Sequence, residues 1–115
     1  MKVYIAGPLT TSGDIALNMR AAITAAEGIL DRGHLPYIPH LTFFWHFASP
    51  HPYDYWIKLD KRWLMECDAL LRLPGESRGT EIEVSLAARM GLSIYHSVEE
   101  LHHISDNARE SPDRT

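Results

Sequence analysis

Two hydrophobic rhythms alternate along this chain. Lys2–Ala6 (KVYIA) is a short β-rich run closed by Gly7-Pro8, which predicts a buried strand entering a turn. From Ile15 to Asp31 the apolar residues Leu17, Ala21, Ala25, Ile29 and Leu30 recur at helical spacing, and Gly33 supplies the stop. LPYIP (35–39) predicts a second strand. Residues 40–52 (HLTFFWHFASPHP) are rich in aromatics and prolines, show no clean period, and read as an irregular loop or a single turn. Tyr53–Glu66 is helical again, 68–73 a strand, Thr80–Gly91 a helix, LSIYH (92–96) a strand, and 98–101 allows one last short helix.

Strands that alternate with helices through short turns predict an α/β fold: a small Rossmann-like, flavodoxin-like domain with a parallel sheet of four to five strands and helices on both faces. We read residues 1–104 as this single domain and the polar stretch 105–115 as a disordered tail. Ligands of such folds sit at the carboxyl ends of the strands. The loops after Ala6, Pro39, Leu73 and Tyr95 are therefore the places where a site is expected.

Composition narrows the function. At 115 residues, 45% hydrophobic and 23% charged, the chain can bury one core. Its apolar stretches are broken by charge before they reach membrane-spanning length, and MKVYIAGP reads as a strand and not as a secretion signal, so no membrane partner and a cytoplasmic location are expected. A single cysteine, Cys67, excludes a disulfide framework and a cysteine-cluster zinc site. Net charge −4 without a lysine or arginine run argues against a nucleic-acid polymer as partner. A small molecule is the expected ligand.

Two carboxylates carry the candidate chemistry. Within ESRGTEIEVSLAARMG, Glu81 and Glu83 are two residues apart and so point to nearly opposite sides of a helix. On the wheel Glu83 falls with Leu86, Ala87 and Met90 on the side that packs toward the sheet, and Glu81 falls on the solvated side, within reach of Arg89 or Ser85. A carboxylate on an apolar face is costly unless paired, and function is one reason to tolerate it. The competing explanation is a capping box, Thr80-x-x-Glu83. In YDYWIKLDKRWLMEC, Asp60 lies amid an apolar stripe of Trp56, Trp63, Leu64 and Cys67, opposite Lys58, Lys61 and Arg62. Two inward carboxylates from successive helices can divide labour between nucleophile and acid or base. Each can equally be a satisfied buried residue bonded to a backbone amide.

Other signals are weaker. GPLTTSG has neither the G-x-G-x-x-G nor the Walker spacing, so no dinucleotide cofactor is expected, although Thr10, Thr11 and Ser12 can present amides and hydroxyls to a phosphate. His40, His46 and His51 lack metal-ligand spacing, and no metal is expected. Phe43, Phe44, Trp45 and Phe47 suit either base stacking or the packing of a lid or subunit contact. Asp68 either holds a local turn or stands near the pocket.

The order YIAGP, then D-x-x-W-L-x-x-x-D-A-L-L (Asp60 to Leu71), then S-x-G-x-x-x-E (Ser77 to Glu83) resembles the nucleoside 2-deoxyribosyltransferase-like family, nearest to its nucleoside 5'-monophosphate N-glycosidases, over most of residues 2–97. The resemblance implies that Glu83 is the nucleophile forming a glycosyl-enzyme ester and that Asp60 assists departure of the base or handles a sugar hydroxyl. It implies that Ser77, Gly79 and Gly7 face a 5'-phosphate and that Tyr4 lies near the sugar. Trp45 in the aromatic segment is the candidate for stacking on the base. The loop after the first strand carries Pro8 and Leu9 and lacks the arginine common in the monophosphate branch, for which Arg20 or Arg78 are the possible substitutes. The short chain leaves little material to exclude water, which favours hydrolysis of a nucleoside or nucleotide over base exchange. The resemblance also implies a homodimer or higher homo-oligomer, and residues 43–47 are the candidate for either its contact or a base-stacking lid. A base-exchanging transferase, a non-catalytic nucleotide-binding module in which Glu83 only caps its helix, and a structural subunit of a larger assembly are the competing readings.

Overall fold

The computed structural model describes residues 1–104; the expected tail at 105–115 lies outside the described residues. Four strands, β1 (Lys2–Ala6), β2 (Leu35–Tyr37), β3 (Ala69–Arg72) and β4 (Ser93–Tyr95), form one sheet in the order β2-β1-β3-β4. All three pairings are parallel. The helices are α1 (Ile15–Asp31), α2 (Thr42–Ala48), α3 (Tyr53–Glu66) and α4 (Arg78–Arg89), with short 3-10 turns at Pro39–Leu41 and Val98–Glu100.

Alternation along β1 divides the core in two. Val3 and Ile5 pack with Ala22, Ala25, Ala26 and Ile29 of α1 on one face. Tyr4 and Ala6 pack with Leu64 of α3, its capping residue Cys67 and Ala87 of α4 on the other. Helices thus cover both faces. Because the chain winds outward from β1 to β2 and then returns to β3 on the opposite side, the loops after β1 and β3 diverge at the middle of the sheet and open a crevice there. Glycine shapes the base of that crevice: a Cβ on Gly7 would stand 2.8 Å from Leu73 Cβ, so the ends of β1 and β3 approach as closely as they do only because position 7 has no side chain.

Three expectations are corrected. Residues 40–52 are not an irregular loop: Pro39, with its fixed φ, opens a 3-10 turn that leads directly into α2. The period was invisible because α2 is only seven residues long and none of them is buried. Helix α4 starts at Arg78, two residues earlier than the pattern indicated, because the Ser77 side chain accepts the Thr80 N–H and caps it. Trp63, placed on the buried stripe of α3, is 46% exposed and instead stacks on Tyr37 at 5.0 Å. Asp68 proves to be a strand-start residue: its Oδ2 accepts the Lys2 N–H at 2.7 Å, at the amino ends of β1 and β3.

Candidate active site

A cleft of about 560 Å³ opens at the carboxyl ends of the strands. Its lining comes from the loop after β1 (Gly7, Leu9, Thr10, Thr11), the segment after β2 (Pro39, His40, Phe43, His46), the inner side of α3 (Trp56, Asp60, Leu64) and the first turns of α4 (Ser77, Gly79, Thr80, Glu83). Of the four loops expected to supply a site, the one after β4 is not among those that line it.

The start of α4 decides between the two explanations of Glu83. Ser77 is the N-cap, so Glu83 lies well inside the helix, and the Thr80-x-x-Glu83 capping box does not form. Glu83 Oε2 instead accepts the hydroxyl of Tyr4, a residue with no exposed surface at the centre of β1. Glu81 points outward as the wheel indicated, but its partner is Arg72, not Arg89 or Ser85. Arg72 also donates to the Leu73 and Gly75 carbonyls and so braces the loop after β3.

Asp60 is held in the same way. Tyr37 Oη donates to Asp60 Oδ1 at 3.0 Å. In the parallel pairing of β1 and β2, Tyr4 is registered opposite Tyr37, with ring centroids 5.5 Å apart. The register of two strands therefore places two hydroxyls side by side, and each grips one carboxylate from a different helix. Pattern reading had no signal for Tyr37, because only the strand register makes it the neighbour of Tyr4.

Burial raises both carboxyl groups. Glu83 is pushed up to about 7, first by desolvation, with the Tyr4 hydrogen bond opposing and the Asp60 charge adding. Asp60 is pushed up to about 6 by desolvation, opposed by the Tyr37 hydrogen bond. Both tyrosines are driven well above the usual phenol value, by burial first and then by the carboxylates beside them, so they remain donors. In the range between the two carboxyl values the pair holds about one proton. Because the Glu83 value is the higher, that proton resides mostly on Glu83; the minority form, ionised Glu83 beside protonated Asp60, is the one that suits attack by Glu83 and proton donation by Asp60.

The other candidates distribute unevenly. Gly7, Ser77 and Gly79 line the cleft. Tyr4 does not; it acts from beneath, through Glu83. Trp45 is not a lining residue either: it is half exposed and meets Trp56 edge-on at 5.2 Å. Arg20 lines a separate groove along α1, and Arg78 is exposed in the first turn of α4. His40 is buried and its Nε2–H donates to the Gly7 carbonyl at 3.1 Å, joining the segments after β1 and β2. Desolvation pushes its imidazole below the usual value. Among the described residues no group of three His, Cys, Asp or Glu is placed to hold a metal ion, and no helix is long and apolar enough to cross a membrane.

Residues 1–96 match the model of a protein family described as a domain of unknown function, DUF4406. The chain belongs to this family. No curated protein matches it. Among solved structures, this DUF4406 domain is similar to a 2-deoxyribosyltransferase from the psychrotolerant bacterium Bacillus psychrosaccharolyticus, with a TM-score of 0.63 and 17% identity, over 82% of this chain and 69% of that one. The fold of the DUF4406 domain is accordingly the Rossmann-like, flavodoxin-like fold of that enzyme. Tyr4, Tyr37, Asp60 and Glu83 all lie within the matched residues.

Proposed function

We propose that this chain hydrolyses the N-glycosidic bond of a nucleoside or nucleoside 5'-monophosphate. One observation carries the reading: two carboxyl groups with raised pKa stand in one cleft, each held by its own tyrosine. Ionised Glu83 attacks the anomeric carbon, the carbon–nitrogen bond breaks with its electron pair going to the base, and Asp60 gives that base its proton. The product is a glycosyl ester on Glu83. Water then attacks the same carbon, its proton passes to the Asp60 carboxylate, and Glu83 leaves as a carboxylate. Gly7, Gly79 and the capped start of α4, with its free amides, suit a 5'-phosphate.

Base exchange is the second reading, favoured by the likeness to a 2-deoxyribosyltransferase. It replaces water by a second base in the step that resolves the ester. Incubation with a panel of nucleosides and their 5'-monophosphates, with and without a second free base, separates the two by chromatography. Free base and sugar alone support hydrolysis; a new nucleoside moves the reading to transfer. Inertness across the panel overturns both and leaves a nucleotide-binding module.

The pH dependence is a sharper expectation. Because turnover requires one carboxyl ionised and one protonated, kcat/KM is expected to follow a bell with limbs near about 6 and about 7. Tyr4→Phe removes a bond that favours ionised Glu83, so the upper limb moves to higher pH; Tyr37→Phe moves the lower limb upward for the same reason. A profile level from about pH 5 to about pH 9 would remove the pair from the mechanism.

We also read α2 as the contact with a second copy of the chain. Phe43 and His46 face the cleft, whereas Phe44, Trp45 and Phe47 are exposed, so a copy seated on that outer side would extend the cleft wall. Sedimentation is expected to show a dimer that Phe47→Asp weakens; a monomer at all concentrations would refute this contact.

A further inference from the structure

His46 is held in one tautomer. Its Nδ1 accepts two hydrogen bonds, from Trp56 Nε1–H at 2.9 Å and from the His51 backbone N–H at 3.2 Å. A nitrogen that accepts from two donors carries no proton, so the ring proton must sit on Nε2. The ring also stands edge-on to Trp56 at 5.8 Å, and His51, whose amide it accepts, is itself stacked on Tyr55 at 3.8 Å. His46 lines the cleft and is exposed to it. With Nδ1 turned to α3, the opposite edge offers a fixed N–H donor, for which no acceptor is found among the described residues.

The position of this donor gives it a target. Trp56 lies one helical turn before Asp60 on α3, about 6 Å along the axis. Ser77 and Gly79 line the cleft from the start of α4, with Gly79 about one helical turn before Glu83. On the glycosidic reading, a substrate with its anomeric carbon at Glu83 and its phosphate at the start of α4 is placed with its base toward α3, where Phe43, Tyr53 and Trp56 line the cleft. That wall offers aromatic surface and, at His46, a donor.

We propose that His46 Nε2–H selects among bases by hydrogen-bonding an acceptor on the base edge, so that oxo bases are preferred to their amino counterparts. This rests on the glycosidic reading for the placement of the base. An oxo group accepts from the imidazole N–H; an amino group in the same place sets donor against donor and leaves the histidine unsatisfied. Trp56 is then a positioning residue that acts through the tautomer.

The experiment has two readouts. In the unliganded protein at pH 8, nitrogen NMR is expected to show His46 protonated on Nε2 and bare on Nδ1, and Trp56→Phe is expected to mix the tautomers. A proton on Nδ1 in the wild type overturns the proposal. In equilibrium binding, hypoxanthine is expected to bind about tenfold tighter than adenine, and uracil about tenfold tighter than cytosine. His46→Phe, which keeps an aromatic ring, is expected to erase both ratios, and His46→Gln, whose amide can donate, to restore part of them. Equal binding in the wild type, preference for the amino bases, no binding of any base, or ratios that survive His46→Phe each overturn it. Turnover is measured separately on the nucleoside panel: discrimination among bases without turnover would sink the glycosidic reading alone, and turnover without discrimination would sink this one alone.

Discussion

Glu83→Gln is expected to lose at least about a thousandfold in turnover of any nucleoside that the wild-type chain processes, while becoming more stable at alkaline pH. The amide keeps the volume of the side chain and an oxygen that can accept from Tyr4, but it cannot attack the anomeric carbon. The stability change follows from linkage. Glu83 has a folded value of about 7 against an ordinary 4.5, so the folded state binds its proton more tightly than the unfolded one does. Stability attached to this group is full below about 4.5 and is lost as pH rises through about 7. A neutral amide escapes that loss. The variant should therefore match the wild type near pH 4.5 and exceed it at pH 8, by on the order of 2–3 kcal/mol. Thermal melts at the two pH values, beside the turnover assay, check both halves. A variant that turns over normally refutes the nucleophile assignment; a variant that is inactive and less stable at pH 8 than the wild type indicates a structural role for the charge.

Asp60→Asn is expected to cost about a hundredfold to ten-thousandfold with ordinary nucleosides, and far less with a substrate whose base leaves without being protonated. Asp60 is assigned to proton transfer, and a cationic base such as an N-methylated purine needs no proton to depart. With that leaving group the first step no longer depends on Asp60, and the loss should shrink to about tenfold, the part that activation of water retains. The bell should also give way in the variant to a single rise through the Glu83 value, about 7, because the falling limb came from the need for a protonated Asp60. A loss independent of the leaving group would reassign Asp60 to holding the sugar. Glu83→Gln provides the contrast, since attack on carbon is required whatever leaves.

The two carboxylates were legible because each breaks the apolar pattern of its own helix. Asp60 interrupts the stripe of α3, and Glu83 falls on the inner arc of α4 where Glu81 cannot. The capping box was equally legible and did not form, because Ser77 caps the helix one turn earlier and moves Glu83 into its interior. Short-range spacing favours both assignments; which serine or threonine caps depends on where β3 delivers the chain. Helix α2 escaped notice for a related reason. Its aromatics point outward as well as into the cleft, and no periodic stripe marks a segment that buries none of its own residues.

Apart from α2, the order of strands and helices, the two-faced core and the presence of two inward carboxylates were determined by the sequence alone, because each rests on periodicity within a single element. The tertiary structure decided what these carboxylates meet. Tyr4 and Tyr37 are thirty-three positions apart and become neighbours only through the register of β1 on β2. Trp56 and the His51 amide fix the His46 tautomer only because α2 folds back against α3. A carboxyl pKa and an imidazole tautomer are set by desolvation and by donors supplied from other elements. Such properties belong to the packed arrangement and cannot be assigned to any one stretch of chain.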